Sequence, residues 1–122
     1  ETVEEQLNVF DEIPYEDQAT DLLRSAKDNL AYDKASFQKL MAFYNSQDIE
    51  GMITMMEEDK NLSTSKHQDK MLDNRNKNWI SKIGEHAKTQ PTFFGLGAAH
   101  LAGDNGVIRL LRLAGYTVKA AI

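Results

Sequence analysis

The chain contains no cysteine and only 2 prolines among its 122 residues. Without cysteine, disulfide scaffolds, Cys-ligated zinc sites, thiol catalysis and haem–thiolate chemistry are all excluded. Basic side chains are also scarce, with 14 Lys+Arg against 19 Asp+Glu and a net charge of −5. This balance argues against a nucleic-acid partner, which usually meets a basic stripe. No apolar run reaches the roughly 18 residues that cross a bilayer, so no transmembrane segment is expected.

The length fits a single domain over residues 1–122, and its first part, residues 1–62, has the apolar spacing of helices. The pattern predicts three short helices there. The first begins at Ile13-Pro14 and continues to Tyr32, because proline is tolerated in a first helical turn. Asp33 and Asp48 are the residue type that caps helices, and they are expected to begin the second and third.

A fourth, longer helix is predicted from about Ser65 to Ala87. Arg75 lies four residues after Met71 and four before Trp79, so helical geometry places it on the apolar face. A buried guanidinium must be paired, which makes Asp73 or another acid its expected partner. Alternatively, the aliphatic part of the Arg75 side chain lies along the apolar face of the helix and its guanidinium reaches solvent.

The pattern changes after Pro91. A strand over 92–96 is followed by the glycine-rich loop 97–103, a helix capped by Asp104 or Asn105, and a strand over 116–122. Together these predict a βαβ unit with two parallel strands. The expected fold class is therefore α+β, with 63–122 holding the long helix and the βαβ unit as part of a larger α/β fold.

The loop with His100 is the candidate site, because ligands of parallel sheets bind beyond the carboxyl ends of the strands. Histidine is the commonest metal ligand and titrates near neutral pH, so His100 is a candidate ligand or general base. Gly97 and Gly103 let the backbone turn tightly beside a ligand. The alternative is a structural histidine that bonds the loop backbone.

Several groups of residues together resemble the TraB/GumN family, which also contains the Tiki membrane proteases. They are Arg75-Asn76 with Trp79, the run from Phe94 to Val107, Leu110-Leu111-Arg112 with Gly115-Tyr116-Thr117-Val118, and the opening Glu1 to Leu7 with Ile13-Pro14 and Gln18. Gly97-x-x-His100 is similar to the second of the family's two Gly-x-x-His motifs. Glu1 is similar to its conserved glutamate. The chain resembles the C-terminal half of such a protein.

The resemblance implies a fragment of a metal-dependent, peptidase-like hydrolase that is inactive without the upstream half. Its implied partner is that missing half or a second copy of the chain in a homodimer. The implied catalytic residues are Glu1, Arg75 and His100, with His100 also the metal ligand. Its implied cofactor is a divalent Mn, Co or Zn ion, and its implied substrate is a peptide. Gly97, Gly103 and Asn76 would support the site.

A second hypothesis makes the chain a non-catalytic module that binds a peptide or partner, so whether it is an enzyme stays open. The incomplete motif set and the methionine-rich stretch at Met52, Met55 and Met56 motivate it. Relatives in bacteria are often exported, which implies the periplasm or cell envelope.

The βαβ hypothesis also makes a geometric prediction. Arg75 and His100 should approach within about 12 Å, a distance that one substrate can span. His100 should be partly exposed, beside the N-terminus of the helix that begins near Asn105.

Overall fold

The computed structural model describes residues 1–121, which form helices joined by short loops. The helices are α1 (Val3–Asp11), α2 (Tyr15–Lys27), α3 (Ala31–Asn45), α4 (Ile49–Glu58), α5 (Ser63–Lys66), α6 (Asn74–Thr89) and α7 (Val107–Leu113). A π-helical turn covers Asp69–Asp73, and a 3-10 turn covers Ala98–His100.

The N-terminal region holds four short helices rather than the predicted three. The additional helix, α1, begins with a capping box in which Thr2 accepts from the backbone of Glu5 and Glu5 accepts from the backbone of Thr2. Its sequence signature, Thr-x-x-Glu, is present in the chain. α2 ends at Lys27, earlier than predicted, because Asn29 and Leu30 adopt left-handed backbone angles (φ 53° and 63°) that break the helix.

The two predicted aspartate caps have different outcomes. Asp48 caps α4 as expected, since its carboxylate accepts the amide of Gly51 at 2.9 Å. Asp33 does not cap α3, which begins at Ala31. Its carboxylate instead accepts from the guanidinium of Arg24 at 2.8 Å and ties α3 to α2.

The predicted long helix is present but irregular. It divides into α5, the π-helical turn and α6. A π turn has one extra residue in its hydrogen-bonded ring, so it rotates the side chains that follow relative to a straight α-helix. Arg75 and Asn76 come directly after this turn and take their orientation from it.

The predicted βαβ unit and the α+β fold class are wrong: no strand occurs in residues 1–121. The segment 92–96 is extended, and 116–121 has no regular structure; Ile122 lies outside the described residues. A strand exists only when its backbone pairs with a neighbour. Among residues 1–121 no backbone hydrogen bond joins these two segments, and α7 packs against α6 instead of a sheet.

The predicted end of α7 is correct, whereas the predicted start is wrong. Gly115 ends the helix in a left-handed conformation (φ +90°), as expected, and the amide of Tyr116 closes the turn on the carbonyl of Leu111 at 3.0 Å. Neither Asp104 nor Asn105 caps its start, because Gly106 occupies that position.

The main core lies under the loop of the candidate site. Ile53 of α4, Leu72 of the π turn and Ala102 after the 3-10 turn pack together, and Met56 and Ala99 lie against them. Met52 is buried as well, so part of the methionine-rich stretch serves the core. This cluster anchors the loop that carries His100 against α4 and the π turn.

Candidate active site

The three residues implied as catalytic line one cleft of about 750 Å³, although they come from distant parts of the chain. Glu1 precedes α1, Arg75 lies in the first turn of α6, and His100 ends the 3-10 turn. Trp79 and Gly97 line the same cleft. The helical packing therefore brings together what the sequence separates by up to 99 positions.

Arg75 forms an ion pair with Glu1. Its Nε donates to one oxygen of the carboxylate and its Nη2 to the other, both at 2.8 Å, which is the two-point geometry that arginine favours. The third guanidinium nitrogen, Nη1, donates to the carbonyl of Met71 at 2.8 Å. All three nitrogens are thus engaged, and Asp73 does not contact Arg75 in the described residues.

This pair fixes the charge of Glu1. The hydrogen bonds from Arg75 hold the pKa of the Glu1 carboxyl below its ordinary value, and partial burial opposes that effect without reversing it. A carboxylate with a lowered pKa is a weak proton acceptor near neutral pH. Glu1 is therefore better suited to holding a cation or a polar group than to acting as a general base.

Trp79 connects the ion pair to the histidine. The guanidinium carbon of Arg75 lies 5.2 Å from the centre of the Trp79 ring, which in turn lies 4.7 Å from the centre of the His100 ring. The guanidinium carbon of Arg75 and the centre of the His100 ring are therefore at most about 9.9 Å apart, because each lies at one of these distances from Trp79. The two side chains lie within the 12 Å that was expected.

His100 is held by a buried asparagine. The imidazole Nδ1 and the Oδ1 atom of Asn76 are 2.6 Å apart, and the Nδ2 atom of Asn76 donates to the carbonyl of Asn105 at 2.9 Å. A carbonyl can only accept, so the amide must turn its oxygen towards His100. Nδ1 therefore carries the proton, and Nε2 carries the lone pair.

The asparagine has support of its own. Asn76 is 2% exposed, and Asn105, whose carbonyl it meets, donates through Nδ2 to a carboxylate oxygen of Asp73 at 3.1 Å. A chain of hydrogen bonds thus runs from the π turn through Asn105 and Asn76 to His100. Such a chain orients the imidazole much as outer partners orient metal-binding histidines.

The surroundings keep His100 neutral. Burial lowers its pKa from the ordinary value, the positive charge of Arg75 lowers it further, and the negative charge of Glu1 opposes both. The prediction that His100 is partly exposed is wrong, since the residue is buried and only 9% exposed. Even so, no described residue hydrogen-bonds Nε2, which leaves a neutral acceptor at the cleft.

The two glycines predicted to support the site differ in their need for glycine. Gly103 has φ +81°, and a Cβ there would lie 2.9 Å from a methyl carbon of Ile53, so both backbone and space exclude a side chain. A Cβ at Gly97 would make an ordinary contact with His100 at 3.6 Å. Gly97 thus lies beside the imidazole, and the structure leaves room for a Cβ at this position.

Two amides near the N-terminus of α7 already donate hydrogen bonds to the loop of His100. The first turn of α7 lies beside the loop, but the amide of Ile108 already donates to the carbonyl of Leu101 at 3.2 Å, and the amide of Gly106 to Gly103 at 3.1 Å. These amides fasten the loop to the helix. They are not directed at the cleft.

The contacts that Trp79, Asn105 and Asp73 make at the site were not predicted from the sequence. Asp73 had been expected to pair with Arg75, and Trp79 had been placed in the apolar stripe and in the family resemblance. The i, i+4 spacing of Trp79 from Arg75 was a signal for their contact. No local pattern could have indicated the contact between Asn76 and Asn105, because 29 positions separate them.

The described residues supply only part of the set of donors that the predicted metal ion needs. Residues 1–121 contain no cluster of three or more His, Cys, Asp or Glu side chains arranged for a metal. The cleft offers His100 Nε2 and the Glu1 carboxylate, whose two oxygens already accept from Arg75. Catalytic zinc sites generally use three protein ligands, so these two donors are one fewer than such a site usually has.

None of the described helices is both long enough and apolar enough to cross a membrane.

The model of the TraB/PrgY/gumN family matches residues 1–120, almost the whole chain. No curated protein and no solved structure matches significantly.

Proposed function

Because this chain belongs to the TraB/PrgY/gumN family, we propose that its cleft is part of the active site of a peptidase-like hydrolase. The observation that carries the proposal is the juxtaposition of a neutral histidine acceptor with a fixed carboxylate in one cleft. Hydrolysis of a peptide needs a group that takes a proton from water, and a neutral imidazole does so near pH 7.

Each residue has a separate role in this proposal. His100 Nε2 accepts a proton from the attacking water or serves as a metal ligand, while Asn76 keeps the proton on Nδ1. Glu1 presents a carboxylate towards the cleft. Arg75 orients that carboxylate and does not act as an oxyanion donor, because Glu1 and Met71 occupy its nitrogens.

A divalent Mn, Co or Zn ion would find two donors here, so we propose that further donors come from outside residues 1–122. They would be supplied by an upstream segment or by a second copy of the chain. In the metal-dependent form of the proposal, the chain alone is therefore inactive, and activity returns when the missing donors are restored. The periplasm or cell envelope stays the proposed location.

The test compares peptide cleavage by this chain and by the chain extended upstream, each with added Mn²⁺, Co²⁺ or Zn²⁺. We expect cleavage only in the extended protein, and its loss in His100→Ala. His67→Gln is the matched control, since His67 pairs with Asp17 away from the cleft. Full activity in His100→Ala would remove the histidine from the mechanism.

The incomplete donor set also favours a second function, the binding of a peptide without cleavage. The cleft would then recognise its ligand through the aromatic and charged side chains that line it. Persistent inactivity of the extended protein with every metal, together with measurable peptide binding at this cleft, would select this function over the hydrolase.

A further inference from the structure

Lys82 is a cation at the cleft that forms no ion pair with any described residue. It lies on α6 at i+3 from Trp79, so it shares the face that carries Trp79 and Arg75 into the cleft. Arg75 is paired with Glu1, but no carboxylate lies within 4 Å of the Lys82 ammonium among residues 1–121.

Glu5 is an acid whose pKa responds to the charge of Lys82, and its carboxylate is already hydrogen-bonded. Its carboxylate accepts from the backbone amide of Thr2 at 2.6 Å, and this capping bond is the main reason its pKa lies below the ordinary value. The charge of Lys82 adds to that lowering without forming an ion pair. The lysine is therefore free to meet a ligand while Glu5 keeps its place at the start of α1.

Part of the cleft wall is apolar, and one of its aromatic rings is almost fully exposed. Phe93, Phe94 and Leu96 line the cleft from the extended segment, and Ile83 lines it from α6. Phe93 is 93% exposed, so a ligand that covered its ring would gain from removing apolar surface from water. An aromatic wall beside Lys82, which forms no ion pair with residues 1–121, suits a group that is both anionic and apolar.

The spacing along α6 indicates the form of that ligand. His100 contacts Trp79, and Lys82 lies three residues further, about 4.5 Å along the helix axis. An extended peptide advances about 3.3–3.6 Å per residue. A peptide bond placed at His100 would thus put a group one or two residues further along within reach of the flexible lysine.

We propose that Lys82 binds the terminal carboxylate of a peptide whose last residue is large and apolar. The last side chain packs on the aromatic wall of Phe93 and Phe94. This inference rests on the proposed function in that it requires the cleft to accept a peptide, and it goes further by naming the end of the peptide and the residue that selects it.

The test measures binding of four fluorescein-labelled tetrapeptides to the chain by fluorescence polarisation at low ionic strength. Gly-Gly-Ala-Phe and Gly-Gly-Ala-Ser are each prepared with a free carboxylate and with a carboxamide. We expect the free acid of the Phe peptide to bind about fivefold tighter than its amide, as for an exposed ion pair near the upper end of its usual strength. It should also bind more tightly than the free acid of the Ser peptide.

Lys82→Gln should abolish the preference for the acid, whereas Lys77→Gln, on an exposed part of α6 outside the cleft, should retain it. Equal binding of acid and amide, or a preference that survives Lys82→Gln, overturns this inference and leaves the peptide-binding function standing. If neither the chain nor its upstream-extended form binds any of the peptides, the inference and the proposed function fail together. If the Ser peptide binds as well as the Phe peptide, the aromatic wall does not contribute to binding, and that part of the inference is overturned.

Discussion

Asn76 provides the sharpest test of how the site is built, because its two hydrogen bonds can be changed separately. In Asn76→Ala, the Nδ1–H of His100 loses its partner in a buried position and the carbonyl of Asn105 loses its partner in a part-buried one. An unpaired buried group costs about 1–3 kcal/mol and a part-buried group costs less, so the free energy of unfolding should fall by about 1–4 kcal/mol. That is a large part of the roughly 5–15 kcal/mol that a domain usually possesses.

Asn76→Asp keeps the volume and the acceptor but adds a negative charge beside the imidazole. The pKa of His100, which lies below its ordinary value in the native chain, should rise above that ordinary value. The carbonyl of Asn105 would face an oxygen instead of a donor, so a loss of stability accompanies the change. The titration of the His100 ring protons by NMR measures the pKa directly.

The two proteins should also differ in how stability follows pH. In the native chain the unfolded state binds a proton below about 6.5 that folded His100 does not, so stability is present above that pH and falls as the pH drops. In Asn76→Asp the raised pKa reverses the contribution, which is present below about 6.5 and lost as the pH rises. Urea unfolding at pH 5.5, 6.5 and 7.5 compares the slopes. An unchanged slope and an unmoved His100 titration would refute the assigned tautomer.

Two further substitutions test the ion pair and the loop. Arg75→Met should raise the pKa of Glu1, as followed by carboxylate NMR, and lower the free energy of unfolding by about 1.5–3 kcal/mol, because Glu1 loses its charged donor; an unchanged Glu1 titration would contradict the pairing. Gly106→Ala should cost several kcal/mol in chemical denaturation, since a Cβ there lies 2.1 Å from the carbonyl oxygen of Ala102, while Gly115→Ala, with open space around it, should cost about 1 kcal/mol. Equal losses would show that the loop can move away.

The helices were predictable where local chemistry determines them. Asp48 begins α4 because its carboxylate reaches an amide three residues later, and Gly115 ends α7 because glycine tolerates a positive φ. The start of α3 was missed since the carboxylate of Asp33 has a stronger partner in Arg24, a residue of another helix. Long-range pairing of this kind overrides a local cap.

The strands failed for a different reason. Residues 92–96 have the composition of a buried strand, but composition does not supply the second backbone that a ladder needs. The same limit applies to the site. Periodicity placed Arg75 on an apolar face and required an acid for it, yet Glu1 lies 74 positions away. The family resemblance, and not the spacing of residues, had grouped Glu1 with Arg75 and His100.

The position of Trp79 gives the site an optical reporter. Trp79 is the one tryptophan of the chain, and it contacts both Arg75 and His100. An imidazolium quenches indole fluorescence more strongly than a neutral imidazole does, so the emission of the whole protein records the protonation of a single histidine. A molecule entering the cleft changes the polarity around the same indole and shifts its emission wavelength. Events at His100 are therefore visible in the unlabelled protein, without a chromogenic substrate.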